Sequence, residues 1–159
     1  MLNIFRRIRS VPSGHVQMYD QESFYRAFEE DLRFAQNEVV IECPFITTNR
    51  INALFPLLSR LRSRGVSIIV NTRDPIEHNE EYEVQALNAI AALQSIGVEV
   101  FYTARHHRKL AVIDKEIVWN GSLNILSQID SCEIMWRTDS AELADKLLGF
   151  INVKRYTRR

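Results

Sequence analysis

The chain has 159 residues, 46% hydrophobic and 25% charged, with 20 basic and 20 acidic side chains summing to zero net charge. That size and balance describe one ordinary globular domain, residues 1–159, with enough chain for a substantial core. They argue against a uniformly basic nucleic-acid binder, and no apolar run approaches the ~18 residues of a membrane span.

The start, Met1 to Arg9, lacks a hydrophobic stretch long enough for secretion, and residues 1–14 read as a flexible basic segment. Asp20 predicts an N-cap for a helix over Gln21–Gln36, with Phe24, Ala27, Phe28, Leu32 and Ala35 on one face. Glu38–Cys43 reads as the first core strand, closed by Pro44. Thr48 or Asn49 caps a helix carrying Ile51, Leu54, Leu57, Leu58 and Leu61, ended by Gly65; Pro56 either kinks it or marks the first turn of a later start. Val66–Asn71 is a second strand and 72–79 a loop. A helix over Glu80–Ile96, with Val84, Leu87, Ile90, Ala91 and Leu93 on its face, stops at Gly97. Val98–Thr103 is a third strand.

Leu110–Ile113 and Ile117–Trp119 are two short strands around a polar turn at Asp114, Ser131–Arg137 is a further strand-like run, and a last helix begins near Ser140. In that run Glu133, Met135 and Arg137 share one face, and Cys132, Ile134 and Trp136 the other. Trp119 and Trp136 read as core. The alternation of strand and helix in the front two-thirds predicts an α/β fold: a mixed, mainly parallel sheet flanked by helices on both faces, with ligands bound outside the strand ends. Cys43 and Cys132 lie in apolar runs without metal-ligand spacing, which predicts buried free thiols in a reducing cytoplasm.

The cations are 16 Arg and only 4 Lys, clustered at Arg6–Arg9, Arg60–Arg64, Arg105–Arg108 and Arg155–Arg159. Arginine grips phosphate bidentately, so a neutral total can conceal a basic groove, although each cluster taken singly reads as a solvated face. Arg105 and Arg108 flank the densest chemistry in the chain and are expected to bind substrate. That chemistry is H-x-K-x4-D-x6-G-S-x-N: His107, Lys109, Asp114, Gly121, Ser122 and Asn124. His107 and Lys109 share one strand face, and Ser122 and Asn124 another, which turns Arg108 and Leu123 away. A neutral imidazole can attack phosphorus, a lysine can hold non-bridging oxygens, and neutral donors can meet the accumulating charge. A carboxylate is needed to orient the imidazole, and Glu133 suits that better than Asp114, which also fits a turn. His106 is the competitor of His107 but has no lysine two residues on; His15 and His78 read as structural or exposed.

This pattern resembles the phospholipase D superfamily signature, and the run from Gly121 through Glu133 is similar to its single-motif, endonuclease-like members and to domains attached to bacterial helicase-type proteins. The resemblance implies paired motifs across a twofold axis, one histidine acting as nucleophile and the other protonating the leaving group. It places catalytic roles on His107, Lys109, Ser122, Asn124 and Glu133, with Asp114 matching the motif aspartate. Only one H-x-K occurs here, so a C2 homodimer with its active site at the twofold interface is expected. The expected function is that of a nuclease-type phosphodiesterase that uses neither metal nor other cofactor and has no membrane partner, with DNA favoured over RNA. A non-hydrolytic nucleic-acid-binding or dimerisation module of a helicase-type system stands behind it, and a phospholipid hydrolase or transferase behind that.

Overall fold

The computed structural model describes residues 14–127 and 130–152. All of the predicted basic segment 1–14 but Gly14, and the arginines at 155, 158 and 159, lie outside the described residues.

The elements in chain order are β1 (Val16–Asp20), α1 (Phe24–Phe34), β2 (Glu38–Glu42), α2 (Thr48–Ser63), β3 (Ser67–Arg73), a 3-10 turn (Pro75–Glu77), α3 (Glu80–Ser95), β4 (Glu99–Thr103), β5 (Leu110–Ile113), β6 (Ile117–Gly121), β7 (Ile134–Asp139) and α4 (Ala141–Ile151). The caps follow local chemistry. Asp20 accepts hydrogen bonds from the backbone N–H groups of Glu22 and Ser23, turning the chain into a helix that begins later than its position suggests. Thr47, one residue before the predicted choices, caps α2 through the Arg50 N–H, and α2 continues through Pro56. Asn79 and Ser140 cap α3 and α4.

Seven strands form one sheet in the order β1-β7-β6-β5-β2-β3-β4. The mixed α/β architecture is as read from the sequence, but its weighting differs: only β2–β3 and β3–β4 pair in parallel, and the other four pairings are antiparallel. The reason lies in the connections. Helical crossovers α2 and α3 force β2, β3 and β4 to run the same way. From β4, at the sheet edge, the chain passes back over the ends of β3 and β2 and enters β5 antiparallel to β2. Short turns then make β5 and β6 a hairpin, and β1, unassigned from the sequence, closes the far edge against β7.

Helices cover both faces. Phe24, Phe28 and Leu32 of α1, Ile51 and Leu58 of α2 and Ile90 and Leu93 of α3 pack on Val39, Ile41, Ile68 and Val70. Ala144 and Ile151 of α4 pack on Val40, Val112 and Val118. The buried face of α3 is rotated from the predicted one: Ala86 and Ala89 are inside, while Val84 and Leu87 are exposed. Trp119 is fully buried against Tyr19, Phe24 and Phe28, and its indole N–H donates to Asp31, which also takes a two-pronged bond from Arg137 at 2.7 and 3.0 Å. Trp136 and Cys132, expected in the core, are exposed. The alternation itself holds, with Met135 fully buried, but among the described residues no helix covers the outer face beside β1 at Trp136 and Cys132.

Two positions carry measurable consequences for stability. The β5–β6 turn places Asp114 and Lys115 at φ 52° and 56°, with the Glu116 N–H bonded to the Ile113 carbonyl. Asparagine, aspartate and glycine tolerate this left-handed geometry; lysine does not. Lys115→Gly is expected to stabilise the fold by about 1 kcal/mol, raising the melting temperature by about 2–4 °C in thermal denaturation. Gly121 ends β6 so close to β7 that a Cβ would stand 2.1 Å from the Ile134 carbonyl oxygen. Gly121→Ala is therefore expected to cost about 3 kcal/mol and lower the same midpoint by about 6–12 °C.

Candidate active site

The segment 104–109 links β4 to β5 across the C-terminal ends of β3 and β2. It turns at Arg105, whose φ is 55°, and is tied down at His106 from two directions. Arg73, the last residue of β3, donates two guanidinium N–H groups to the His106 carbonyl at 3.0 and 2.9 Å. Glu42, the last residue of β2, is fully buried and accepts the Nε2–H of the equally buried His106 ring at 2.7 Å. The same Glu42 oxygen lies 3.3 Å from Nη1 of Arg108. His106 and Arg108 thus reach down toward β2. His107 and Lys109 alternate to the other side and meet each other.

There the Lys109 ammonium lies 3.2 Å from Nδ1 of His107 and 3.0 Å from the His107 carbonyl oxygen. His107 is exposed, and its pKa is held below the ordinary histidine value, first by the Lys109 charge, then by partial burial, Arg73 and His106. Burial likewise holds the Lys109 ammonium below the usual lysine range. These surroundings favour the neutral imidazole, the form a nitrogen nucleophile requires.

β6 returns the chain to the same end of the sheet. The Ser122 hydroxyl accepts the Ile134 N–H at 3.1 Å. Glu133 accepts the Ser131 hydroxyl at 2.7 Å, and its carboxyl is held below the usual range by the Ser122 hydroxyl, by Ser131 and by the Lys109 charge. The loop after Ser122 is anchored to the start of α2: the Arg50 guanidinium donates to the Ile125 carbonyl at 3.2 Å and the Thr47 N–H to the Leu126 carbonyl at 3.0 Å. It carries Asn124, whose buried side-chain oxygen has no hydrogen-bond partner among the described residues.

The structure thus brings His107 and Lys109 into contact, and sets Ser122 and Glu133 together facing Lys109. Four expectations change. Asp114 stands at the opposite end of β5, where its carboxylate accepts the backbone N–H groups of Gln36, Asn37 and Glu38 at 2.8, 2.7 and 3.0 Å. It is a structural clamp, saturated by donors and remote from His107. Glu133 is not the hydrogen-bond partner of His107, because Lys109 occupies that position and two serines take the carboxylate. Arg108 pairs with Glu42, on the side away from His107 and Lys109. The Arg105 backbone N–H is held by Glu77 at 2.9 Å, and among the described residues its guanidinium makes no hydrogen bond or ion pair to the site. Nor do the arginines at the end of α2 form a groove: Arg62 donates to the Ile96 and Val66 carbonyls and Arg64 to those of Arg33 and Ala35, closing chain ends.

Sequence reasoning missed Glu42, Arg73 and Asn71. The Asn71 amide donates to Glu42 at 3.1 Å while its oxygen accepts the Thr103 hydroxyl at 3.0 Å. The signal was present: Glu42 and Asn71 are polar residues closing otherwise apolar parallel strands, at the ends where such sheets bind ligands. Among the described residues no group of three or more His, Cys, Asp or Glu side chains is placed to hold a metal ion, and no helix is long and apolar enough to cross a membrane.

Similar proteins share this fold. Nuc, a phospholipase D family member from Salmonella typhimurium, superposes with a TM-score of 0.70 at 18% identity, over 92% of this chain and 100% of its own. NucT from Helicobacter pylori gives 0.70 at 19% identity, over 87% and 93%. TrmBL2, an archaeal chromatin protein with a novel mode of DNA binding, gives 0.60 at 15% identity, over 92% of this chain and 54% of its own. At these identities the likeness is one of fold. No curated protein matches the chain by sequence. Residues 28–152 match the family described as cardiolipin synthase, PLD-like domain, and with most of its length covered the chain belongs to that family of the phospholipase D superfamily.

Proposed function

We propose that the chain, acting as a single domain, is a nuclease-type phosphodiesterase that works through a phosphohistidine without a metal ion. The observation that carries this reading is the exposed His107 held against Lys109, whose charge lowers the pKa of the ring. The His107 lone pair attacks phosphorus and the P–O bond to the leaving group breaks. A second imidazole, protonated, gives its proton to the departing oxygen. Water then attacks phosphorus with that second imidazole as base, and the P–N bond breaks. Lys109 draws negative charge toward the reacting phosphate, while Ser122 and Asn124 supply neutral polar groups nearby. Glu133 fixes Ser122 and balances the lysine.

The second imidazole comes from a second copy, because the chain has one H-x-K. A C2 dimer sets the two His107 rings on either side of one phosphorus. Nucleic acid, DNA before RNA, is the substrate; the fold shared with a DNA-binding chromatin protein supports the polymer. The family's description also names a lipid enzyme, and a phospholipid diester is the competing substrate. The unpaired thiols of Cys43 and Cys132 suit a cytoplasmic location.

DNA and RNA strands and anionic phospholipid vesicles, each incubated in excess EDTA, decide the class. Strand cleavage is expected, and His107→Ala is expected to remove it by roughly 10^4-fold or more. Head-group release with intact strands would move the substrate to lipid, and salt-dependent strand binding without cleavage would leave a binding module.

The pH profile tests the site's electrostatics. The nucleophile must be neutral, and its neutral fraction grows as pH rises through a lowered pKa. The acid limb of kcat/KM should therefore have its midpoint below the ordinary histidine value of about 6.5. Lys109→Met, measured on its residual activity, should move that limb upward; a downward move would contradict the assignment.

A further inference from the structure

The crossing segment 104–109 has no regular secondary structure, yet it carries the two side chains that the proposed chemistry needs in register. Helix or strand pairing does not hold it. A carboxylate from another strand does. Glu42 is fully buried, and three groups converge on it: the His106 ring at 2.7 Å, the Asn71 amide at 3.1 Å and the Arg108 guanidinium at 3.3 Å. Two of the three come from alternate positions of one extended segment. Gripping residues 106 and 108 from below leaves 107 and 109 only the upper side. Arg73 holds the His106 carbonyl from β3, so the peptide between His106 and His107 is restrained as well.

We propose that Glu42 is the positioning residue of the site: by holding His106 and Arg108 together it sets His107 and Lys109 against each other. Its role in turnover rests on the phosphodiesterase reading above; its role in setting the His107–Lys109 contact does not. A buried carboxylate is costly unless paired, and a hydrocarbon core would stabilise this end of the sheet as well or better. The arrangement therefore acts on geometry rather than on stability.

The test is Glu42→Gln, which keeps shape and removes charge, beside the double variant Glu42→Met/His106→Leu, which removes the pair without leaving a buried charge. The first readout is the titration of the His107 ring by NMR. The charged groups facing His107 are Lys109, Arg73 and His106, all basic. If nothing moved, deleting a nearby carboxylate would lower the His107 midpoint further. If Glu42 sets the contact, the lysine drifts away and the midpoint rises toward about 6.5 in Glu42→Gln. A rise is expected; no change or a fall overturns the proposal.

The second readout is turnover of a DNA strand. The double variant is expected to melt within a few degrees of wild type while kcat drops about 10- to 100-fold and KM stays within about threefold, the cost of misplacing a nucleophile by an ångström or less. A wild-type kcat in that folded variant also overturns it. If wild type itself cleaves no diester, the phosphodiesterase reading fails, and the titration still decides the role of Glu42.

Discussion

The site depends on one buried charge. Glu42 ends β2 with no exposed surface, and an isolated carboxylate there would cost several kcal/mol. It is tolerated because His106, Arg108 and Asn71 surround it, and those partners arrive from two other parts of the chain. The electrostatic demand of a single buried group thereby dictates the path of the segment crossing above it. Period-two alternation then does the rest: side chains that satisfy Glu42 go down, and the next ones in sequence stand up toward solvent. The pair that meets above the crossing segment is a consequence of the pair that faces the core.

The spacing of the motif now has a mechanical meaning. The four residues between Lys109 and Asp114 are β5, Leu110–Ile113. The six between Asp114 and Gly121 are the rest of the turn and β6, which bring the chain back. The motif is thus a hairpin that descends from the site, is pinned at its far end, and returns. Asp114 supplies the pin by accepting three consecutive N–H groups leading into β2, so the hairpin and β2 share one register. Gly121 lets β6 close on β7 where any side chain would strike a carbonyl. A fixed spacing between chemical groups is here a fixed strand length, and an insertion in either strand would separate His107 from Ser122.

This also explains what the sequence could and could not reveal. The strands and helices were legible because their apolar periodicities are local. The pairing of His107 with Lys109 was legible because the lysine lies two residues on. The roles of Asp114 and Glu133 were not, since a carboxylate reads alike whether it meets an imidazole or a backbone amide, and its partners lie 76 to 78 residues away for Asp114. Glu42 was hidden for the same reason: its contact with His106 spans 64 positions, and only the sheet order makes β2 and the crossing segment neighbours. Strand order was the largest gap. Nothing local tells the chain leaving β4 to pass over β3 and β2, and that crossing decides both the antiparallel majority of the sheet and where the active segment rests. Trp136 and Cys132 were misplaced because alternation assigns faces without saying which face a helix will cover.

The electrostatics of a single chain carry one more consequence for the proposed dimer. Lys109, Arg73 and His106 all push the His107 ring toward its neutral form, which suits attack on phosphorus and disfavours proton donation. One such ring cannot perform both halves of the reaction at once. Two identical rings brought to the same phosphorus are no longer independent, because a proton on one raises the cost of a proton on the other, and the pair titrates as a unit. The incoming phosphodiester adds negative charge between them and makes the first proton easier to hold. A dimer loaded with substrate therefore favours the singly protonated state, one ring neutral and one charged, without any difference in sequence between the copies. In the proposed dimer, symmetry in structure and asymmetry in proton count would together supply the nucleophile and the acid, whereas a lone chain, whose surroundings favour the neutral ring, offers the nucleophile without the acid.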